Sequence, residues 1–457
     1  MKKVLLIVVS LIALTSLAFS QNYIDVAPGE GMLSAALAAA ADGDVLRLVP
    51  GAEYTESVLK TVGTIVDKKI AIVADGDGSV KPIIKIFTDP AEGTCQFFQV
   101  GNNGSLLLAG LEFDGAVNGS KSVSYLGRCY MGESPAPAAI KKIHLESCVI
   151  ANLKSNVIDG ANSNIASYVV IDSAIVNNCI VHDTGTLVHF KTASSNYVQV
   201  TNSTMYNITS YGMRINGITN TQRTENPEVV VDHTTWYNIG LTDPREMIVT
   251  ENAGTNLFEK PILITNSIFS TLTAAAAGSK SAINIKMTVG DAMATITHIC
   301  MWDLGAKKNW LKHTITDTIR MDPGFADPAN GDFTLPAGSL LLTYGSDKGP
   351  IGDKRWTNNA SAVARNDLQP EGFVLAQNYP NPFNPATTIS FTLAQAGLAR
   401  LAVYDARGRE VMVLAQGLLG AGIHHYEFAV HNLVSGLYFY RLTMAGRSWT
   451  KKMLLLQ

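Results

Sequence analysis

Residues 198–207 read Val-Gln-Val-Thr-Asn-Ser-Thr-Met-Tyr-Asn, and residues 229–238 read Val-Val-Val-Asp-His-Thr-Thr-Trp-Tyr-Asn. Both stretches alternate apolar and other residues before a polar position, and both end on asparagine. Further copies begin at Ile143, Val169, Ile262 and Ala294, and the polar position recurs after 26, 29, 31, 33 and 32 residues. Alternation of this kind indicates a short strand with one apolar side. Strands this short cannot bury that side alone, so the copies must stack.

Aligning the copies predicts columns of side chains that point inward. Steps of about 30 residues with two or three short strands favour a parallel β-helix over a propeller, whose blades take roughly 40 residues or more. Cys179 falls in an inward column with Ile208 and Ile239, which predicts a packed thiol. The two clearest columns are Leu145, Ile171, Val200, Val231, Ile264 and Ile296, and Ile150, Val176, Met205, Trp236, Phe269 and Met301.

A column of asparagines falls where each coil must turn. It consists of Asn152, Asn178, Asn207 and Asn238. Asparagine tolerates left-handed backbone and bonds to its neighbours through its amide. We therefore predict a structural ladder at the turns, with a ligand-binding role as the alternative.

The first residues have the pattern of an export signal. Lys2 and Lys3 precede an apolar run from Val4 to Phe19, and Ala18 and Ser20 supply small residues before Gln21. This pattern predicts a signal peptide over residues 1–20, with a retained membrane anchor as the alternative. No later segment is long and apolar enough to span a bilayer, so we expect none in the mature chain.

The stretch ahead of the repeats predicts a cap on the first coil. Met32 to Ala41 is an Ala-rich helix candidate, and residues 42–56 read DGDVLRLVPGAEYTE. This line, with residues 322–352 at the far end, resembles the pectate-lyase-like superfamily over residues 23–356. The resemblance implies a right-handed parallel β-helix, which we assign to residues 21–356.

The rest of the chain reads as a linker and a second domain. Residues 357–372 are polar and irregular, and residues 373–457 hold short alternating strands typical of a small, Ig-like β-sandwich. The line Pro-Asn-Pro-Phe-Asn-Pro at 380–385, the turn before Gly408, and Gly436-Leu437-Tyr438 resemble the type IX secretion sorting domain. That resemblance implies export through the periplasm, contact with the secretion machinery, and a location outside the bacterium or on its outer membrane. A carbohydrate-binding sandwich is the alternative.

Composition excludes several partners. The 35 basic and 38 acidic residues give a net charge of -3, which offers no reason to expect nucleic acid or an anionic membrane. The five cysteines lie far apart without a Cys-x-x-Cys pair, so a zinc site is not expected. Buried, inert thiols are favoured over a reactive one.

Chemistry on a β-helix must use side chains that point outward, because the inside is packed. With Val188 and Phe190 inward, His189 and Lys191 point outward, and the same alternation predicts an outward Arg214 and Asn216, and an outward Asn284 and Lys286. Adjacent coils lie about 5 Å apart, so Lys191 and Arg214 are expected to be close.

Lys191 and Arg214 suit β-elimination from a uronic acid. A base must take the proton beside the carboxylate, and cations must stabilise the enolate that forms. Arg214 can grip the carboxylate with two hydrogen bonds, and a neighbouring cation favours the neutral, basic form of Lys191. The pair resembles the lysine and arginine of alginate and chondroitin lyases on this fold. It is therefore predicted to be catalytic, with His189, Asn216, Asn284 and Lys286 as substrate contacts.

The sequence departs from those lyases in its longer signature and in lacking an acidic triad for calcium, so no metal or cofactor is predicted. Asp172 and Asp232 share a predicted outward column, but Thr201 separates them. A glycoside hydrolase is disfavoured because no outward pair of carboxylates is apparent. The alternative to a lyase is a surface adhesin or glycan-binding protein on which Lys191 and Arg214 are solvated charges.

Overall fold

The computed structural model describes most of the chain. The described residues are 22–57, 64–76, 79–87, 96–117, 120–121, 123–129, 138–160, 169–190, 193–217, 227–242, 245–252, 261–272, 282–286, 294–304, 315–357, 374–375, 378, 383, 385–393, 397–405, 407–419, 422–429, 433–444 and 447–455. The predicted signal peptide, residues 358–372 of the polar linker and Lys191 lie outside them.

The described part of residues 22–357 is built from short strands and one helix. The strands are β1 (Tyr23–Val26), β2 (Gly29–Glu30), β3 (Val45–Leu48), β4 (Glu53–Ser57), β5 (Thr64–Val66), β6 (Lys69–Ala74), β7 (Ile83–Phe87), β8 (Gln96–Val100), β9 (Ser105–Ala109), β10 (Glu112–Asp114), β11 (Ala116–Val117), β12 (Ser120–Lys121), β13 (Tyr125–Cys129), β14 (Ala138–Glu146), β15 (Val149–Ala151), β16 (Ile158–Asp159), β17 (Val169–Asn177), β18 (Ile180–His182), β19 (Val188–Phe190), β20 (Ser194–Ile208), β21 (Met213–Gly217), β22 (Glu228–Ile239), β23 (Ile248–Asn252), β24 (Ile262–Leu272), β25 (Ile283–Lys286), β26 (Ala294–Trp302) and β27 (Ile315–Ile319). The helix is α1 (Met32–Ala39), and 3-10 turns occur at Pro328–Asn330, Leu340–Leu342 and Lys354–Trp356.

Successive coils pair in parallel, which confirms the predicted all-β fold with a parallel β-helix. One sheet carries β14, β17, β20, β22, β24 and β26 side by side, and a second runs β5-β8-β13-β16-β19-β21-β23-β25. The inward side chains of both sheets form one continuous core, in which Trp236 stacks on Phe269 at 6.3 Å between ring centroids.

Each coil turns at residues with left-handed backbone, as the asparagine column predicts. The second turn of each coil uses Asn152, Asp183, Asn207, Asn238, Thr271 and Asp303, with φ between 49° and 60°. Asn238 Nδ2 donates to Asn207 Oδ1 at 2.7 Å, so part of the ladder bonds from coil to coil. The first turn uses Ser147, Asn178, Asn202, His233, Asn266 and His298, with φ between 47° and 55°.

One coil of the predicted alignment is wrong. Asn178 lies on the first turn with Asn202, only 24 residues later, and Asp183 takes the predicted place of Asn178 on the second turn. Val176 therefore replaces Ile171 in the first inward column, and Val181 replaces Val176 in the second. Cys179 is buried as predicted, but its amide bonds to Ser203 rather than stacking on Ile208.

The misalignment has a physical cause in β17. Val169 and Ile171 point inward, Asp172 and Ser173 are both partly exposed, and Ala174 is buried again. The strand therefore holds two alternating stretches separated by a change of phase. Each stretch matches the repeat pattern, so the pattern alone fits two registers.

The helix α1 covers the end of the first coil and ends two residues before the predicted Ala41. Leu33 and Leu37 are buried against the core. Glu56, itself buried, accepts hydrogen bonds from the backbone N–H groups of Leu33 at 2.8 Å and Ser34 at 3.2 Å. A carboxylate in this position satisfies free N–H groups at the start of the helix.

The segment after β27 runs back along the coils and is bonded to them. Gly352 N–H donates to Asn266 O at 2.8 Å, and Arg355 Nη2 donates to Asn178 Oδ1 at 2.6 Å. Asp353 is buried and accepts a hydrogen bond from Thr204 Oγ1 at 2.7 Å. Burial raises the pKa of Asp353, against the opposing effect of the Arg355 cation.

The C-terminal strands form two antiparallel sheets, in agreement with the predicted small β-sandwich. One sheet contains β28 (Val374–Leu375), β29 (Ala386–Leu393) and β32 (Gly422–Ala429). The other contains β30 (Gly397–Asp405), β31 (Glu410–Leu419), β33 (Gly436–Met444) and β34 (Arg447–Leu455). They share a core of their own around Phe391, Leu401 and Tyr440. The domain boundaries given above remain a prediction.

Candidate functional site

The outer face of the second sheet carries a row of polar side chains. The strand register places Arg128 beside Asp159, Asp159 beside His189, and His189 beside Arg214. We call these four residues the arginine row. Gln99 precedes the row, and Val249 and then Asn284 continue it. The inward neighbours Val188, Phe190, Met213 and Ile215 are buried, so the packed core holds the outward residues in place.

The structure describes only some of the predicted site residues. It brings His189 and Arg214 together on adjacent strands and places Asn284 two strands beyond Arg214. Lys191 lies outside the described residues, so its distance from Arg214 stays a prediction. Asn216 and Lys286 are described in their backbone alone, where each pairs with Glu251 in β23.

Asp159 is the buried centre of a hydrogen-bond network. Its side chain is 1% exposed, and its Oδ1 accepts from Asn156 Nδ2 at 2.8 Å and contacts His189 Nδ1 at 3.0 Å. Arg128 Nε lies 3.4 Å from Asp159 Oδ2. A buried carboxylate requires such partners, because its desolvation is otherwise costly.

Two arginines flank one aromatic ring at the far end of the row. The guanidinium carbon of Arg214 lies 5.1 Å from the centroid of the Tyr211 ring, and that of Arg245 lies 5.3 Å from it. The His189 ring is 6.4 Å from the same centroid, at an interplanar angle of 25°. Tyr211 is therefore the common neighbour of three potential cations.

A similar contact occurs at the near end of the row. Arg128 lies 5.1 Å from the ring centroid of Tyr125. Burial, followed by the Asp159 carboxylate, raises the pKa of Tyr125, so its hydroxyl stays protonated at neutral pH. Beyond the row, Asn284 Nδ2 donates to the buried Glu246 at 3.1 Å, which fixes the amide of that predicted contact residue.

Several residues of this face were missed by sequence reasoning. They are Arg128, Asn156, Asp159, Tyr211, Arg245 and Glu246. Arg128 and Asp159 could have been found by stepping back from His189, because 30 residues separate His189 from Asp159 and 31 separate Asp159 from Arg128. The others precede their strands, and no pattern in the sequence signals them.

The predicted alignment of Asp172 with Asp232 is wrong, because it depends on the misaligned coil. Asp232 pairs with Thr201, and Thr201 pairs with Asn177 rather than with Asp172. Asp172 instead accepts a hydrogen bond from Asn196 Nδ2 at 3.0 Å and lies 3.4 Å from Lys141 Nζ. The two aspartates therefore cannot form a common metal site.

Family models match two parts of the chain. Residues 229–356 match a domain of unknown function, DUF5123, and residues 377–456 match the secretion system C-terminal sorting domain. Residues 377–456 are a secretion sorting domain. The chain is thus addressed to the type IX secretion machinery and exported to the cell surface or beyond it, as its proline-asparagine line predicts.

Two further comparisons concern the whole chain. No curated protein matches the sequence. Among solved structures, the PL6 family alginate lyase AlyGC and a mutant of it are similar at a TM-score of 0.44 and 19% identity. The match covers 66% of this chain and 38% of that lyase, so this chain spans well under half the length of that protein. Among the residues that the structure describes, no helix is both long and apolar enough to cross a bilayer.

Proposed function

We propose that this exported β-helix binds an acidic polysaccharide along the arginine row and cleaves it by β-elimination. The observation that carries the proposal is the placement of three arginines, Arg128, Arg214 and Arg245, against Tyr125 and Tyr211 on one outer face. Export supports a large extracellular target.

The spacing of the row suits a polymer better than a single sugar. Arg128 and Arg214 are three strand steps apart, which corresponds to about 14 Å at roughly 4.8 Å per step. One sugar cannot reach both. A chain of uronate residues along the stacking direction would place separate carboxylates near each guanidinium, and arginine pairs with carboxylates through two parallel hydrogen bonds.

In the cleavage step, the cations have one task. Removal of the proton beside a uronate carboxylate places negative charge on that carboxylate, and fixed cations lower the energy of this enolate-like state. We assign that task to Arg214 and Lys191. We assign substrate contacts to His189 and Asn284, and Asn216 and Lys286 stay predicted substrate contacts.

A non-catalytic glycan-binding protein is the second candidate. It is favoured by the Asp159 carboxylate, whose negative charge offsets one arginine of the row and so weakens the stabilisation of an enolate-like state. The two candidates share the binding face and differ only in the chemical step.

Incubation with alginate, pectate and chondroitin tests the proposal. We expect the absorbance of an unsaturated uronate product to rise with at least one polymer, and no product from the same polymer after reduction of its carboxyl groups. Retention of a polyuronate without product would support the glycan-binding candidate. Absence of both binding and product would overturn the proposed function.

A further inference from the structure

We propose that His189 is the base that takes the proton in this elimination and that Asp159 is its positioning residue. The inference rests on the proposed function and gives the role of base to His189, in place of the Lys191 that the sequence suggested.

The hydrogen bonds around Asp159 decide which nitrogen of His189 carries the proton. Thr186 N–H donates to Asn156 Oδ1 at 3.2 Å, so the NH₂ end of Asn156 faces Asp159. Asn156 Nδ2 also lies 3.2 Å from His189 Nδ1, but it donates to Asp159 at 2.8 Å. We infer that His189 Nδ1 donates to the Asp159 carboxylate across the 3.0 Å contact. A neutral imidazole with hydrogen on Nδ1 has its lone pair on Nε2.

Burial makes the carboxylate effective as a partner of the histidine. Asp159 is 1% exposed and His189 is 16% exposed, so water screens the pair weakly while the ring stays partly accessible. When Nε2 takes a proton, the resulting imidazolium lies beside a carboxylate already held by Asn156 and Arg128. A histidine that a buried carboxylate holds in one orientation meets the requirements of a general base.

The register places the base beside the group that binds the substrate carboxylate. His189 pairs directly with Arg214, about 4.8 Å away on the next strand. A carboxylate on Arg214 therefore brings its neighbouring C5–H towards His189. Nε2 takes the C5 proton, the C–H electron pair forms the C4=C5 double bond, and the C4–O bond breaks. The departing oxygen takes a proton from water, and the histidine later returns its own proton to water.

The chain offers a matched control. His144 Nε2 lies 3.2 Å from Glu146 Oε2, whose side chain is 1% exposed, so this pair resembles His189–Asp159 in distance and burial. Its strand neighbours are Leu107 and Ile175 instead of an arginine. His144 therefore has a carboxylate partner, but no arginine lies beside it at the same register on either adjacent strand.

The test compares H189N, D159N and H144Q with the wild type on the polyuronate that gives product. An asparagine at 189 can still donate to Asp159 but cannot take the proton, and a glutamine at 144 preserves the bond to Glu146. We expect H189N to lower kcat by about 100-fold or more with KM within about threefold. For H144Q, kcat is expected to stay within about twofold.

The kinetic constants of D159N separate positioning from folding. We expect kcat to fall at least about tenfold with KM within about threefold, because the substrate still binds while the histidine loses the group that orients it. A wild-type kcat in H189N or in D159N overturns this inference and leaves the proposed elimination standing. If the wild type forms no product from any polyuronate, the elimination and the inference both fail.

Discussion

Arg214 lies over the ring of Tyr211, with 5.1 Å between the guanidinium carbon and the ring centroid. The Tyr211 ring thereby packs against Arg214 at the end of the arginine row. On the first sheet, Arg47 lies 5.4 Å from the centroid of Tyr23 in a comparable contact. Because Arg47 and Tyr23 lie away from the arginine row, their contact serves as a control for the contact of Arg214 with Tyr211.

Replacing Tyr211 with leucine is expected to weaken polyuronate binding about 2- to 30-fold, the range of a cation–π contact of roughly 0.5–2 kcal/mol. Isothermal titration with an oligouronate measures the change. Tyr23→Leu is the control and should bind as the wild type does. Equal affinity for Tyr211→Leu and the wild type would show that the ring does not support the site.

The turn ladder predicts a stabilising substitution. Thr271 has a φ of 55°, which is unfavourable for a β-branched residue, whereas Asn238 occupies the same turn one coil earlier at 56°. Thr271→Asn should raise the free energy of unfolding by up to about 1 kcal/mol. Urea unfolding at an unchanged m-value measures it. A lower midpoint for Thr271→Asn would contradict this account of the turns, and Asn238→Thr should lower the midpoint.

Asp232 predicts a pH dependence of stability. Burial opposes its ionisation, but hydrogen bonds from His233 at 2.7 Å, Thr265 at 2.7 Å and Asn266 at 2.8 Å outweigh burial and hold the pKa of Asp232 below its usual range. The ionised form is therefore favoured in the folded state. The ionised carboxylate of Asp232 stabilises the folded state fully at pH values above the ordinary aspartate pKa of about 3.9. This stabilisation is lost as the pH falls through the lower pKa that Asp232 has in the folded state.

Asp232→Asn should consequently lower the free energy of unfolding at pH 7, and its difference from the wild type should shrink towards pH 2–3. Denaturant unfolding at several pH values measures this. Asp172→Asn is the control, because that side chain is 43% exposed and its charge is better screened. A difference for Asp232→Asn that is the same at pH 3 and pH 7 would contradict the assignment.

The burial of the cysteines predicts that the described part of the protein contains no reactive thiol. Cys129, Cys148, Cys179 and Cys300 are free and buried, and burial raises the pKa of Cys300 to about 12. In a Cys95→Ser variant, a thiol reagent at pH 8 should label the native protein very slowly. Denaturation without a reductant should then release all four thiols. Rapid labelling of the folded variant would place one of them at the surface.

Much of the fold could be predicted from one ten-residue pattern. The pattern of residues 229–238 recurs because every coil must present the same inward side chains and the same left-handed turns to its neighbours. The pattern failed at Val169–Asn177, where a change of phase within one strand lets two registers fit. The pairing of Ala174 with Ile143 and Val198 shows which of the two registers the strand takes.

The candidate site was less predictable. His189 and Arg214 follow from the alternation of inward neighbours in their strands. Asp159 belongs to a two-residue strand with too little alternation of its own, so only its spacing from His189 signals it. Tyr211 and Arg245 precede their strands. The positions of these residues on the outer face follow from how the coils stack, and the sequence of one strand alone does not determine that stacking.

The central claim is that the arginine row acts on an acidic polysaccharide, and Arg214→Ala tests it most directly. The measurement is the affinity of wild type, Arg214→Ala and Arg47→Ala for the polyuronate that the wild type binds best. We expect Arg214→Ala to lose about tenfold or more, the cost of removing hydrogen bonds to a charged group, and Arg47→Ala to stay within about twofold. Undiminished binding by Arg214→Ala, or no polyuronate binding by the wild type, would contradict the claim.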